Sequence, residues 1–269
     1  MAILGSAADE DEEYLQNAVK EPSFRAEYFE DLYNLESGSF WFRCRNKLIV
    51  WGLRKYFGTA KSFLEVGCGT GFVLTAIQKN FPDLKITGSE LFREGLEYAY
   101  RRLAGVELLE LDARKMPFSG HFDVVGAFDV LEHIDEDEVV LRELWKACNS
   151  GIILTVPQHM FLWSSVDDLA CHKRRYSAQE LVTKVEAAGF SVLYVTSFVS
   201  FLMPLLLVSR WSKGASRSES QSELKLPSVL DSILELICDF EQVLIRSGIR
   251  MPLGGSLLVI ANKGGKLAN

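Results

Sequence analysis

Between Arg43 and Phe57, apolar residues at Leu48, Ile49, Leu53 and Phe57 recur at helical spacing among basic ones, which predicts a helix. The pattern then switches to short apolar runs alternating with amphipathic stretches. Ser62 to Val66 reads as a strand, Gly67 to Gly71 as a glycine-rich turn, and Phe72 to Phe81 as a helix with Val73, Ala76 and Ile77 on one face, ended by Pro82. Strands are predicted at Leu84 to Gly88, Val106 to Leu111, Gly151 to Val156 and Val192 to Ser197. Helices are predicted at Glu94 to Leu103, Glu136 to Cys148 and Ala178 to Ala188, the last opened by the capping box Ser177 to Glu180 and stopped by Gly189. Phe122 to Phe128 is continuously apolar, as in a strand covered on both faces. Pro227 opens a long amphipathic helix through Leu230, Ile233, Leu234, Ile237, Leu244 and Ile245, and a strand over Ser256 to Ala261 ends the pattern. Repeated β-α-β units with short turns predict an α/β fold with a doubly wound, mostly parallel sheet.

Composition narrows this picture. The chain has 269 residues, 48% of them apolar, which suits one large domain, or one domain with added pieces. Its 29 Lys+Arg and 36 Asp+Glu give a net charge of −7, against a basic nucleic-acid binder. Five of those negative charges are the run Asp9 to Glu13, in a start (1–20) that reads as a flexible acidic tail, so the remainder is close to neutral. The five cysteines are scattered with no CxxC pair, which reads as reduced thiols in a cytosolic protein, with no metal site indicated. The N-terminus lacks the basic and apolar regions of a signal peptide, and the longest apolar run, Phe198 to Val208, is too short to span a bilayer.

The most informative segment is Phe63-Leu-Glu-Val-Gly-Cys-Gly-Thr-Gly71, a strand feeding a turn with glycines at alternate positions and then a helix. Glycines let backbone approach a ligand, the helix N-terminus offers free N–H groups, and ligands of open α/β sheets bind beyond the carboxyl ends of the strands. The spacing is GxGxG with Phe72 where a dinucleotide fingerprint needs its last glycine, and no Gly-Lys-Ser/Thr follows, so NAD and nucleoside triphosphates are disfavoured. Glu90, about twenty residues on, is placed to bind two ribose hydroxyls with its two acceptor oxygens.

Leu64-Glu-Val-Gly-Cys-Gly-Thr-Gly71 resembles the first motif of class I S-adenosylmethionine-dependent methyltransferases. Gly88-Ser-Glu90-Leu91 resembles the ribose-binding end of strand two, Leu111-Asp112-Ala113 the adenine-side segment, and Phe122 through Phe128-Asp129-Val-Leu-Glu-His133 the strand-four motif. The resemblance covers about residues 40 to 200. It implies a Rossmann-like seven-stranded sheet with an antiparallel last strand, and S-adenosyl-L-methionine as cofactor. Glu65, Gly67, Cys68, Gly69, Gly71, Glu90, Leu91, Asp112, Ala113, Phe128, Asp129 and His133 are the expected cofactor residues.

The acceptor side is less determined, because methyl transfer from an activated donor mainly requires positioning and exclusion of water. The segment after strand five carries His159, Trp163, Asp167 and His172-Lys-Arg174-Arg175-Tyr176. With Trp41-Phe-Arg-Cys-Arg45 and Met251-Pro-Leu-Gly-Gly, it resembles a bacterial-type subgroup of small class I methyltransferases with a methyltransferase-11/23-like domain. His172 and His159 are candidate general bases, Tyr176 a weaker one. Arg174 and Arg175 suit an anionic acceptor, with Trp41, Arg45 and Trp163 beside it. An alternative makes His172, Asp167 and Arg174 a network that only fixes the loop.

The expected organisation is a tail (1–20), an N-terminal helical extension (21–60), a methyltransferase core (61–198), a helical insertion (199–254) with a flexible loop (212–226), and a last strand with tail (255–269). The insertion is expected either to pack on the domain or to lie in a membrane interface. The expected activity is methyl transfer to a small-molecule or lipid- or sugar-linked acceptor by a cytoplasmic enzyme, with a non-catalytic cofactor-binding regulator or peripheral membrane scaffold as the alternative.

Overall fold

The computed structural model describes residues 28–212 and 226–264. The acidic start, the first residues of the helical extension, most of the Ser212 to Lys225 loop and the last five residues lie outside the described residues.

Seven strands, β1 (Ser62–Val66), β2 (Lys85–Glu90), β3 (Glu107–Glu110), β4 (Phe122–Phe128), β5 (Cys148–Pro157), β6 (Ser191–Phe198) and β7 (Ser256–Asn262), form one sheet in the order β3-β2-β1-β4-β5-β7-β6. β7 runs antiparallel to both neighbours and the pairs from β3 to β5 are parallel, as the resemblance implied. β1 and β4 coincide with the predicted strands, because continuous apolar runs between turn residues leave no choice of register or length. β2 extends two residues further than its apolar run, carrying the polar pair Ser89–Glu90 into the buried end of the sheet.

The helices are α1 (Tyr28–Glu36), α2 (Phe40–Phe57), α3 (Phe72–Asn80), α4 (Arg93–Arg102), α5 (Asp137–Ala147), α6 (Ser165–Leu169), α7 (Ala178–Ala187), α8 (Met203–Ser212) and α9 (Ser228–Arg246). Two apolar clusters cover the sheet. One joins β1 and β4 to α2, α3, α4 and α9; the other joins β4, β5 and β7 to α5 and α7. α2 begins three residues before its apolar pattern does. Its first N–H, on Phe40, donates to Asp231 Oδ1 of α9 at 2.7 Å, a cap that local sequence does not reveal.

α9 packs along α2. Arg43 pairs with Asp231 and Glu235, and Lys47 with Glu235 and Asp239. Gln242 donates to the Cys44 carbonyl at 2.7 Å. The insertion therefore buttresses the N-terminal extension. Among the described residues, no helix is long and apolar enough to cross a membrane.

Candidate active site

The loop after β1 is built on positive φ: 68° at Gly67, 52° at Gly69 and 76° at Gly71. A Cβ at Gly67 would sit 2.5 Å from Val130 Cγ2, so the loop can pass the β4 end only as glycine. Glu90 closes the loop from β2. Its Oε2 accepts from the Gly69 N–H at 2.9 Å, and its Oε1 accepts from the N–H groups of Leu91 and Phe92. Oε2 keeps acceptor capacity for a further donor, while Oε1 already accepts two. Burial raises the Glu90 pKa and the backbone donors partly oppose it. Replacing Glu90 with alanine is expected to weaken cofactor binding by about 1–3 kcal/mol in calorimetry. An unchanged affinity would remove Glu90 from the ribose role.

α1 forms a wall over this end. Phe29 lies 3.8 Å from the Cβ position of Gly69 and packs on Phe92, with ring centroids 6.0 Å apart. Glu36 accepts from Thr70 Oγ1 of the loop and pairs with Arg102 of α4. The aromatic run from Phe29 to Phe42 was the only signal of this wall, and its contacts are with residues 34 to 66 positions away.

Asp112 is buried after β3, but both carboxylate oxygens are engaged by Arg114, whose Nη2 lies 2.8 Å from Oδ2. Ala113 is buried beside it. Cys68 is buried, and burial followed by the charges of Glu65 and Glu90 pushes its thiol well up. Phe128 ends β4 in the core, and Asp129 follows at φ 58° with its N–H on Thr155 O. Asp129 pairs with Arg45, a buried guanidinium lying 4.8 Å from the Trp41 ring centroid. Arg45 thus pins α2 to the β4 end and is not an open anion site. Burial raises Glu65 well above the usual carboxylate range, and its Oε2 has no hydrogen-bond partner.

The segment from Gln158 to Tyr176 is a closed loop. Gln158 and Tyr176 form a parallel bridge, and the His159 N–H donates to Tyr176 O at 3.0 Å. Asp167 organises its interior. Its carboxylate accepts from Ser164 N at 2.8 Å, Ser164 Oγ at 3.1 Å, Arg175 Nε at 2.7 Å and Arg175 Nη2 at 3.0 Å, and meets His172 Nδ1 at 2.9 Å. Burial alone would raise its pKa; the bonds from His172 and Arg175 win and hold it at about 2. A proton on His172 Nδ1 satisfies the carboxylate and leaves Nε2 as the acceptor, 4.0 Å from Glu132 Oε1.

Three expectations change here. Tyr176 is fully buried, with its hydroxyl 2.7 Å from Asp137 Oδ2 and 3.2 Å from Leu131 O, and burial raises its pKa further, so it cannot act as a base. Arg175 is committed to Asp167 and to Gln158 O, so its fork is not presented to an acceptor. Arg174 turns away to Asp135 and Asp137. Arg175 is held within its own loop by Asp167, whereas Arg174 is held by Asp135 and Asp137 from the segment after β4. Trp163 donates from Nε1 to Asp168 at 2.9 Å and Trp41 sits under Arg45, which places both beside the site without defining a pocket.

Sequence reasoning missed Glu132. It is fully buried at the end of β4, neither carboxylate oxygen has a hydrogen-bond partner, and burial followed by the Asp129 charge raises its pKa well. Its signal was its place in the strand-four motif, beside His133. His133 is half-buried in ring contact with His172, centroids 4.7 Å apart, and desolvation lowers its pKa to about 3. Ligand-capable atoms of Glu132, His133 and His172 lie within 4.8 Å of one another, a geometry that could also hold a divalent cation. His159 stacks on Phe161 at 4.8 Å; its pKa is lowered by burial and then by Arg175.

A glycine loop, an acid at the end of β2 and a polar cluster beyond the ends of β4 and β5 lie where open α/β sheets bind their ligands. Residues 63–151 match the family model described as a methyltransferase domain. The chain is 30% identical over 95 residues to a ubiquinone/menaquinone biosynthesis C-methyltransferase of Desulfotalea psychrophila, taking in 34% of this chain and 39% of that one, so it spans about two-fifths of that relative's length. Among solved structures it is similar to a chain of the Haloferax volcanii complex of the Trm112 activator with a methyltransferase, at TM-score 0.57 and 14% identity over 91% of this chain and 96% of that chain. It is also similar to Haemonchus contortus phosphoethanolamine N-methyltransferase 2 in complex with S-adenosyl-L-methionine, at TM-score 0.54 and 18% identity over 82% and 52% of the two chains. Residues 63–151 thus match a methyltransferase domain, on a fold similar to that of a methyltransferase solved with S-adenosyl-L-methionine bound. The residues fit such a ligand: positive-φ backbone beside a fixed carboxylate, and buried acceptors with capacity in reserve.

Proposed function

We propose that the protein transfers a methyl group from S-adenosylmethionine to a small-molecule or lipid-linked acceptor bound between the glycine loop and the Gln158–Tyr176 loop. One observation carries this reading. Buried polar atoms without partners gather at the carboxyl ends of β1, β4 and β5: Glu65 Oε2, both oxygens of Glu132, Thr155 Oγ1, Gln158 Oε1 and His159 Nε2. Buried polar groups are nearly always satisfied, so a concentration of exceptions at the ligand end of the sheet supports a polar ligand there.

The cofactor, when bound, supplies a methyl group already activated on a sulfonium. Gly67, Gly69 and Gly71 would hold it with their backbone, Glu90 and Leu91 on the ribose side, Asp112 and Ala113 on the adenine side, and Glu65, Phe128, Asp129 and His133 near its amino-acid end. The remaining task of the chain is to orient the acceptor and take up its proton. His172 is suited to this: Asp167 fixes the ring and its tautomer, and Nε2 faces Glu132. His159 is the second candidate. His172→Ala is expected to leave cofactor affinity unchanged and slow transfer by roughly 10²–10⁴-fold in single-turnover assays. Unchanged turnover would reduce His172 to a fixture of the loop; cofactor binding by the wild type with no transfer to any acceptor of a broad panel would favour the reading as a cofactor-binding regulator.

A further inference from the structure

We propose that the outward face of α8 and α9, together with the Met160–Leu162 turn, docks on an anionic lipid bilayer and presents the Gln158–Tyr176 loop to an acceptor held in that bilayer. The second half rests on the methyl-transfer reading; the docking does not.

α9 is apolar on two opposite faces. One, with Leu234, Cys238 and Ile245, is buried against the domain. The other carries Val229, Ile233, Leu236, Phe240 and Val243, spaced four, three, four and three residues apart, and these side chains are 50–71% exposed. The acidic side of the helix, with Asp231, Glu235 and Asp239, faces α2, so this second apolar stripe is an exposed patch of the kind that marks an interaction surface. The stripe continues through Phe201, in the turn before α8, which stacks on Phe240 at 6.0 Å, and onto α8, where Leu205 and Val208 are exposed. α8 also touches the Met160–Leu162 turn, whose Met160 and Phe161 are exposed beside His159. The apolar surface is therefore wider than the single seam a partner helix would fill, and it runs to the mouth of the acceptor loop.

Charge selects the kind of surface. Three residues beyond Val243, Arg246 enters a groove of about 690 Å³ between α2 and α3, lined also by Arg54, Lys55 and Lys79 and by no carboxylate among its described residues. Arg43 and Lys47 of the same lining are paired with Glu235 and Asp239 of α9, and the excess charge left at this edge is cationic, which complements anionic headgroups over an apolar face.

The test is co-sedimentation of the full chain with vesicles of phosphatidylcholine plus phosphatidylglycerol, against phosphatidylcholine alone. Calorimetry with S-adenosylmethionine and light scattering without lipid run in parallel. The wild-type chain should bind the anionic vesicles and be partly released by salt. Leu236→Gln with Phe240→Gln should cut partitioning by about tenfold or more at unchanged cofactor affinity. Arg54→Gln with Lys55→Gln should remove several-fold of it, in the salt-sensitive part. No binding by the wild type, or equal binding by the apolar double variant, overturns the proposal. So does a stable dimer abolished by Leu236→Gln/Phe240→Gln without vesicle binding, which would make a second copy the occupant. Vesicle binding without cofactor binding would keep the docking and refute the methyl-transfer reading; the converse would refute the docking alone.

Discussion

Gly69→Arg is expected to abolish measurable S-adenosylmethionine binding, a loss of at least about 100-fold, while the protein still folds. Gly69 has φ 52°, where a side chain costs about 1–2 kcal/mol, too little to unfold a domain of this size. Its Cβ position is not crowded by the loop itself: the nearest atom is Phe29 Cε1 at 3.8 Å. A long side chain must therefore enter the space between the loop and α1. There its guanidinium meets the Glu90 carboxylate, which already accepts from the Gly69 N–H at 2.9 Å. Bulk and charge then block the same feature. Gly69→Ala is the control, carrying the backbone cost alone and keeping affinity within about tenfold. Wild-type affinity in Gly69→Arg would show that the ligand does not lie on this loop.

Asp167→Ala should give the largest combined loss, in stability and in turnover. The carboxylate is fully buried and serves Ser164, His172 and Arg175 together. Its removal leaves the largely buried Arg175 guanidinium without its counter-ion, a change of about 3–5 kcal/mol. It also frees the His172 ring, so transfer should fall at least as far as in His172→Ala. Asp167→Asn keeps the shape and loses the charge, and should fall between the two. Held at about 2, the Asp167 carboxylate contributes stability that is complete above the ordinary aspartate pKa of about 3.9 and is lost as pH falls from there towards 2. The difference in melting temperature between wild type and Asp167→Ala should shrink across that range. A difference independent of pH would mean that packing, not the ion cluster, holds the loop.

These two residues differ in how legible they were. Gly69 belongs to a local device: strand, turn and helix are consecutive, so spacing alone shows it. Asp167 sat in a loop whose aromatic and charged residues admitted two readings, catalytic or structural. The structure shows which members are spent on contacts within the fold. Asp167 and Arg175 brace the loop, Arg174 is drawn to Asp135 and Asp137, Tyr176 is core, and His172 is braced by one nitrogen with the other turned inward. Spacing does not separate these: Asp167, His172 and Arg175 pair within the loop, while Arg174, Tyr176 and the second nitrogen of His172 meet partners from the turn after β4 and from α5. Glu132 went unnoticed for the same reason. An acid in a short turn reads as surface until the sheet ends and the loop close around it.

The sequence by itself determined the order and type of nearly every element between Phe40 and Asn262, the doubly wound class, and the cofactor loop with its acid on β2. These follow from hydrophobic period, turn residues and short-range spacing, which act through neighbours in the chain. Only the tertiary structure decided which charges are spent on holding the fold and which polar atoms remain for a ligand. It alone showed that α1 walls the glycine loop and that α9 has a second apolar face. Pairing, burial and coverage are relations between segments up to 199 positions apart, and no window along the chain contains both partners.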